Sequence, residues 1–260
     1  MAVPGCIVGE EPSPRAATAF NAYIRTMEDR LTQQHQSQNE FLAPTANISQ
    51  NRLRLRSGDL VVEQLTPAGG MELPGALLHH WRGTAFIPGV TASDFERLMK
   101  NFNAYPQIFS PQVLQAKLLT QRGNHFQMRM RVRQRHIIPV VMDITDNVTF
   151  ERLDARRGYS ISRSVHISEI ESAGTRNERT LNSSEDHGFL WRQNTYWTYQ
   201  QRDGGLFMQI ESVSLSRSIP SGLGWVVRPF VESVPRDSLE FTLRSICNAL
   251  RKEGKPVPVD

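Results

Sequence analysis

Any chemistry in this chain would fall to a few histidines, acids and one out-of-place arginine. His79 and His80 are consecutive, and on a strand consecutive side chains point to opposite faces, so the two cannot readily close on one metal ion. The chain holds no His-Glu-x-x-His and no Cys-x-x-Cys spacing. Asp186-His187 would make an acid/base pair at a pocket mouth, but adjacent residues seldom act together that way, and no serine stands out as their nucleophile. Gly222-Leu223-Gly224 lacks the Lys-Ser/Thr of a phosphate loop, and no Gly-x-Ser-x-Gly elbow exists. No catalytic residue, metal or cofactor is nominated.

The arginine is Arg163. Odd positions of the segment 157–170 read Tyr159, Ile161, Arg163, Val165 and Ile167, an apolar row with a guanidinium at its centre. A buried guanidinium needs a carboxylate, carbonyls or a ligand anion. A structural pair with Glu211 or another acid is the plainer expectation, and the anionic end of a ligand is the other. In 125–133, Phe126, Met128, Met130 and Val132 alternate with Arg129, Arg131 and Arg133. The methionines suit a deformable pocket wall or ordinary core. The arginines suit the wet face of a sheet, and no aromatic platform interleaves with them as a nucleic-acid surface would require.

The sharpest local geometry is at Asp203-Gly204. A two-residue turn there pairs Arg202 with Gly205 and fixes the register of both flanking strands. One face then receives Tyr199 with Met208, Trp197 with Ile210, Thr195 with Ser212, Gln193 with Ser214 and Trp191 with Ser216. That face is apolar near the turn and polar further along. A dry core would avoid Gln193, Thr195, Ser212 and Ser214, because buried polar groups need partners. Either the polar end faces solvent or the strands wall a cavity; a cavity is the expectation carried forward.

The elements that must position these residues follow from period and punctuation. Ser13-Pro14 opens a helix with Phe20, Tyr23, Met27 and Leu31 on one face. Alternation at 52–56 and 60–64 around Ser57-Gly58-Asp59 predicts a short hairpin. A loop follows over 67–74, then a strand from Leu77 to Ile87. Ser93 and Glu96 match a capping box for a helix with Phe95, Leu98, Met99 and Phe102 on its apolar face. Strands are predicted at 112–121, 125–134, 137–152, 157–170, 189–202 and 205–218. A Gly-rich bend over Ser221–Trp225 leads to a last helix from about Pro235 to Arg251, with Leu239, Leu243, Ile246 and Leu250 as its buried stripe. Contiguous strands without intervening helices argue for an antiparallel meander and one α+β domain.

Composition narrows the function classes. An apolar fraction of 39% and a charged fraction of 22% describe a folded globule. The net charge of +4 comes with 26 arginines among 30 basic residues, scattered as solvated surface, so nucleic acid is not expected as a partner. Cys6 and Cys247 lie near opposite ends and would pair only if the N-terminal arm packed on the last helix; two free thiols are the simpler expectation. No apolar run is long enough to span a membrane, and the start carries no export-signal pattern.

Taken together, several motifs resemble the START-like (SRPBCC) superfamily, and within it an uncharacterised bacterial group. They are Leu78-His79-His80-Trp81-Arg82-Gly83-Thr84 running to Pro88-Gly89, Tyr105-Pro106, and Asp186-His187-Gly188-Phe189-Leu190-Trp191-Arg192. Asp203-Gly204-Gly205, Ser214 to Pro220, Gly222-Leu223-Gly224-Trp225 and Pro235-Arg236-Asp237-Ser238-Leu239 complete the set. The resemblance implies a helix-grip fold, a curved antiparallel sheet around a long C-terminal helix with a cavity between them. It transfers no catalytic residue.

The expected layout is an arm over 1–12, a helix and hairpin extension over 13–74, the helix-grip domain over 75–251 and a tail over 252–260. The expected function is binding of a hydrophobic or amphipathic small molecule or lipid by Gln193, Thr195, Trp197, Tyr199, Met208, Ile210, Ser212 and Ser214. Arg163 is a candidate for an anionic end, and Trp225 either closes the mouth or anchors the last helix. A cyclase- or hydrolase-like enzyme in the same cavity and a noncatalytic protein-interaction module are the alternatives. The resembling group tends to begin with an export signal, which this chain as written lacks, so export and a cytoplasmic location both stay open.

Overall fold

The computed structural model describes residues 11–37, 40–44, 48–135, 139–218 and 224–253. Cys6 falls outside them; Cys247 is a buried free thiol. Among the described residues ten strands build one sheet: β1 (Val61–Gln64), β2 (Met71–Leu73), β3 (Ala76–Pro88), β4 (Val113–Arg122), β5 (His125–Arg135), β6 (Pro139–Arg152), β7 (Arg157–Glu171), β8 (Arg179–Thr180), β9 (Arg192–Arg202) and β10 (Gly205–Arg217). The order across it is β1-β3-β10-β9-β7-β6-β5-β4, all antiparallel, with β2 on β3 and β8 on β7. From β4 to β7 and from β9 to β10 consecutive strands are antiparallel neighbours, while residues 172–191 between β7 and β9 carry β8.

Helices cover both faces. α1 (Pro14–Gln36) starts at Ser13, whose hydroxyl accepts from the Ala16 N–H, with Pro14 at the first helical position. Its Phe20, Ile24, Met27 and Leu31 bury against Leu78, Tyr196, Val213 and Leu215 on the outer face of the sheet. Each such side chain stabilises by about 2 kcal/mol relative to exposure. α5 (Gly224–Glu253) lies across the inner face, with Leu239, Leu243, Ile246 and Leu250 all buried there. Gly83 of β3 lets it sit close: a Cβ at that position would meet Leu239 Cδ2 at 2.6 Å.

Three local expectations need correction. Residues 52–56 are not a hairpin strand but the end of a helix, α2 (Ile48–Arg56), and β1 pairs with β3 instead. Leu53 and Leu55 look alternating, yet on a helix they point apart, leaving Leu53 73% exposed and Leu55 buried. The Ser93/Glu96 box is displaced by two residues: α3 (Ala92–Lys100) is capped by Thr91 and Asp94, each bonding the other's backbone N–H. α5 begins eleven residues before Pro235, at Gly224, so Gly224 and Trp225 of the expected bend are helical, and Ser221, Gly222 and Leu223 lie outside the described residues. A short α4 (Tyr105–Ile108) follows α3 at Tyr105-Pro106.

Candidate ligand cavity

The Asp203-Gly204 turn sets Tyr199 against Met208, Trp197 against Ile210, Thr195 against Ser212 and Gln193 against Ser214. β3 extends those rows, with His79 facing Ser214, Trp81 facing Ser212 and Gly83 facing Ile210. On the other side, Ser162 faces Thr195 and Ser160 faces Trp197. The Gln193 N–H donates to Ser164 Oγ at 2.9 Å, Ser164 faces Asp146, and Asp146 faces Met128. One row of side chains therefore crosses the inner face as His79, Ser214, Gln193, Ser164 and Asp146, with neighbours about 5 Å apart.

These rows do not pack solidly against α5. Between sheet and helix lies a cavity of about 500 Å³. Met128, Met130, Val132, Ile144 and Val148 form its apolar wall, Phe102, Tyr105, Phe109 and Phe150 lie at the end beneath α3 and α4, and Ser238, Leu239, Phe241 and Thr242 of α5 face them. Gln193, Thr195, Trp197, Ile210, Ser212 and Ser214 line the space, as the hairpin register requires. Tyr199 and Met208 share that face but are wholly buried at the filled end. There the Tyr199 ring packs on Phe95, and its hydroxyl donates to Glu96 Oε1 at 2.6 Å. The side chain of Trp225 lies outside the described residues.

Arg163 is on the other face altogether. Its Nε and Nη2 donate to Glu28 Oε1 of α1 at 3.0 and 2.7 Å, and its side chain is 46% exposed. The expected pair with an acid exists, but the acid is Glu28, not Glu211. The apolar row around Arg163 misleads for two reasons. Tyr159 and Ile161 are outward residues near α1, and a bulge at Val165 shifts the register so that Ile167 turns inward. Arg163 therefore cannot meet a ligand in the cavity.

Two cavity residues, Asp146 and His79, were not among the expected ligand contacts. Asp146 is buried in the wall, and burial pushes its carboxyl up to about 7. The signal was present: 142–150 runs Met142, Ile144, Asp146, Val148 and Phe150 on alternate positions, an apolar row with an acid at its centre. His79 is 2% exposed, and neither ring nitrogen finds a protein partner among the described residues. Burial lowers it to about 4, so the imidazole is neutral at physiological pH.

The His187 ring pairs with Glu169 and not with Asp186. His187 Nδ1 lies 2.7 Å from Glu169 Oε2, and the Phe189 N–H donates to Glu169 Oε1 at 3.3 Å. Burial, and then the neighbouring Glu169 charge, raise Asp186 to about 6. The pair thus anchors the segment that carries Phe189 and Leu190 to the cavity rim. The expected arginine ladder is equally occupied: Arg129 and Arg131 converge on the buried Asp143, and Arg131 also reaches Glu178. Among the described residues, no cluster of acids, histidines or cysteines could hold a metal ion.

Among solved structures, the chain is similar to the Zhui aromatase/cyclase from a Streptomyces species, at 12% identity over 70% of this chain and 99% of that one, with a TM-score of 0.50. The fold is START-like. It is also similar to the STAR-related lipid transfer protein from Xanthomonas axonopodis, at 18% identity over 73% of this chain and 98% of that fragment, TM-score 0.44. Human STARD10 matches at 8% identity over 84% of this chain and 91% of that one, TM-score 0.44. No protein-family model matches, and no curated protein matches. At these identities the likeness concerns the START-like fold alone. No helix among the described residues is long and apolar enough to cross a membrane.

Proposed function

We propose that this protein binds a hydrophobic or amphipathic small molecule in the cavity between its sheet and α5. The observation that carries this reading is a space of about 500 Å³, walled by methionine, aliphatic and aromatic side chains and crossed by one polar row. Ligand sites of about 300–1,000 Å³ have this composition, with a few polar groups set in an apolar wall. A module that only presented a surface to another protein would gain stability by collapsing such a void. Trp197, Ile210, Met128 and Met130 supply the apolar contact in this reading, and Gln193, Thr195, Ser212 and Ser214 orient the polar end. Residues 75–251 form the binding unit and 13–74 an extension to it.

A second reading, an enzyme of cyclase- or hydrolase-like type, is favoured by one observation. Asp146 holds a carboxyl inside the cavity that titrates near neutrality and could give or take a proton. Uptake of the uncharged fluorophore N-phenylnaphthylamine tests the cavity itself. Trp197→Ala together with Ser214→Leu removes an aromatic wall and fills part of the polar row, and should abolish uptake while circular dichroism stays native. Unchanged uptake would remove this pocket assignment. Turnover of a bound compound that Asp146→Asn abolishes without loss of binding would move the assignment to the enzyme.

A further inference from the structure

The polar row is uneven in its satisfaction. Ser164 already bonds the Gln193 backbone. At the β3 end of the row, four polar atoms of three neighbouring residues have no protein partner among the described residues: both ring nitrogens of His79, Trp81 Nε1 and Ser216 Oγ. His79 and Trp81 lie two apart on β3 and face Ser214 and Ser212, while Ser216 is the next inward residue of β10. Leaving such groups unpaired forfeits their hydration without return, and native proteins leave few of them. The His79 ring is also held in place. Gly70 lies against it, with φ +96°, where an added Cβ would come within 2.9 Å of the ring carbon Cε1.

The charge of the wall is the second observation. No lysine or arginine occurs in the described lining, and the one carboxylic acid is Asp146, on the far side of the row. An anion entering this space would lose its hydration and meet no counter-charge among the described residues. A neutral imidazole, by contrast, offers a donor at one ring nitrogen and an acceptor at the other, and an uncharged hydroxyl can pair with either of them.

We infer that the bound molecule is uncharged and carries a hydroxyl or carbonyl oxygen that docks against His79 and Ser214 at the β3 end of the cavity. This rests on the small-molecule reading above and narrows it: long-chain alcohols, hydroxylated isoprenoids and neutral polycyclic ketones fit, whereas free fatty-acid anions and phosphate esters do not.

Three probes with the same alkyl chain separate the possibilities: dodecane, lauryl alcohol and laurate, each displacing N-phenylnaphthylamine from the intact chain at pH 8. Lauryl alcohol is expected to bind about tenfold tighter than dodecane and at least about tenfold tighter than laurate. His79→Phe should remove the preference for the alcohol over dodecane, and Ser214→Ala should reduce it, with circular dichroism confirming the fold of each. Equal binding of alcohol and dodecane would overturn the inference while leaving the cavity reading intact, as buried water would then account for the unpaired groups. Laurate binding as tightly as the alcohol would overturn it as well. If the fluorophore itself is not taken up, the cavity reading fails; if it is taken up and none of the three displaces it, this inference fails alone.

Discussion

His79 and His80 are neighbours in sequence and opposites in structure. His80 faces outward beneath α1, where Tyr23 OH lies 2.8 Å from Nδ1 and Glu211 Oε2 lies 2.9 Å from Nε2. Arg30 bonds the same Glu211 oxygen, and Arg82 lies 3.9 Å from the other. His79 faces the cavity and bonds no protein group among those described. The two faces also treat their acids differently. Burial would raise Glu211, but hydrogen bonds and charge from His80 and Arg30 carry it net below the ordinary range. Asp146 has burial alone, and it rises to about 7. His80 and Glu211 on the outer face are buried together with partners, and His79 and Asp146 on the inner face are buried around a space. That difference is the best mark of where a ligand belongs.

The contrast can be broken most forcefully at Glu211. Glu211→Gln leaves Arg30 and Arg82 without their buried counter-charge and should destabilise the fold by about 3 kcal/mol at pH 7. A depressed carboxyl contributes stability that is present above the ordinary glutamate range and lost as pH falls through its lowered value. The variant's deficit should therefore shrink on acidification. Urea unfolding at pH 7 and pH 4 checks this, and an equal deficit at both would mean that Glu211 acts through packing alone.

Asp146 sharpens the comparison with the opposite sign. A raised carboxyl favours the fold while protonated, so its contribution is whole below the ordinary aspartate range near 4 and is lost as pH rises through about 7. Asp146→Asn cannot ionise, and should be more stable than the parent by about 2–4 kcal/mol at pH 8 while matching it near pH 4. The same urea series at pH 4 and pH 8 reads it. A constant difference across pH would show that the wall around Asp146 is hydrated and that its charge costs little.

Much of the fold was legible because its signals were local. Asp203-Gly204 fixed a register that propagates across β9 and β10, and Ser13-Pro14 marked the start of α1. The cavity-facing serines followed from that register. What failed needed information from elsewhere in the chain. Nothing in 157–170 announces the bulge at Val165, so Arg163 was assigned to a face it does not share with Ile167. Ser93 and Glu96 have the spacing of a capping box, but Tyr199 and Arg152 take the Glu96 carboxylate, and Thr91 with Asp94 caps the helix instead. Leu53 and Leu55 fit a period of two over too few residues to exclude a helix. Asp146 was legible by the same reasoning that singled out Arg163, since both break an apolar row; only β6 keeps its register through the break and delivers the charge to the interior.

Native mass spectrometry with organic extraction, on protein purified from the organism that encodes it, tests the central claim most directly. The account predicts a co-purifying, uncharged apolar molecule bearing a hydroxyl or carbonyl group, at near-unit stoichiometry. Protein that arrives empty from its own cell, and takes up no apolar compound from that cell's extract, would contradict the claim that this cavity is a ligand site.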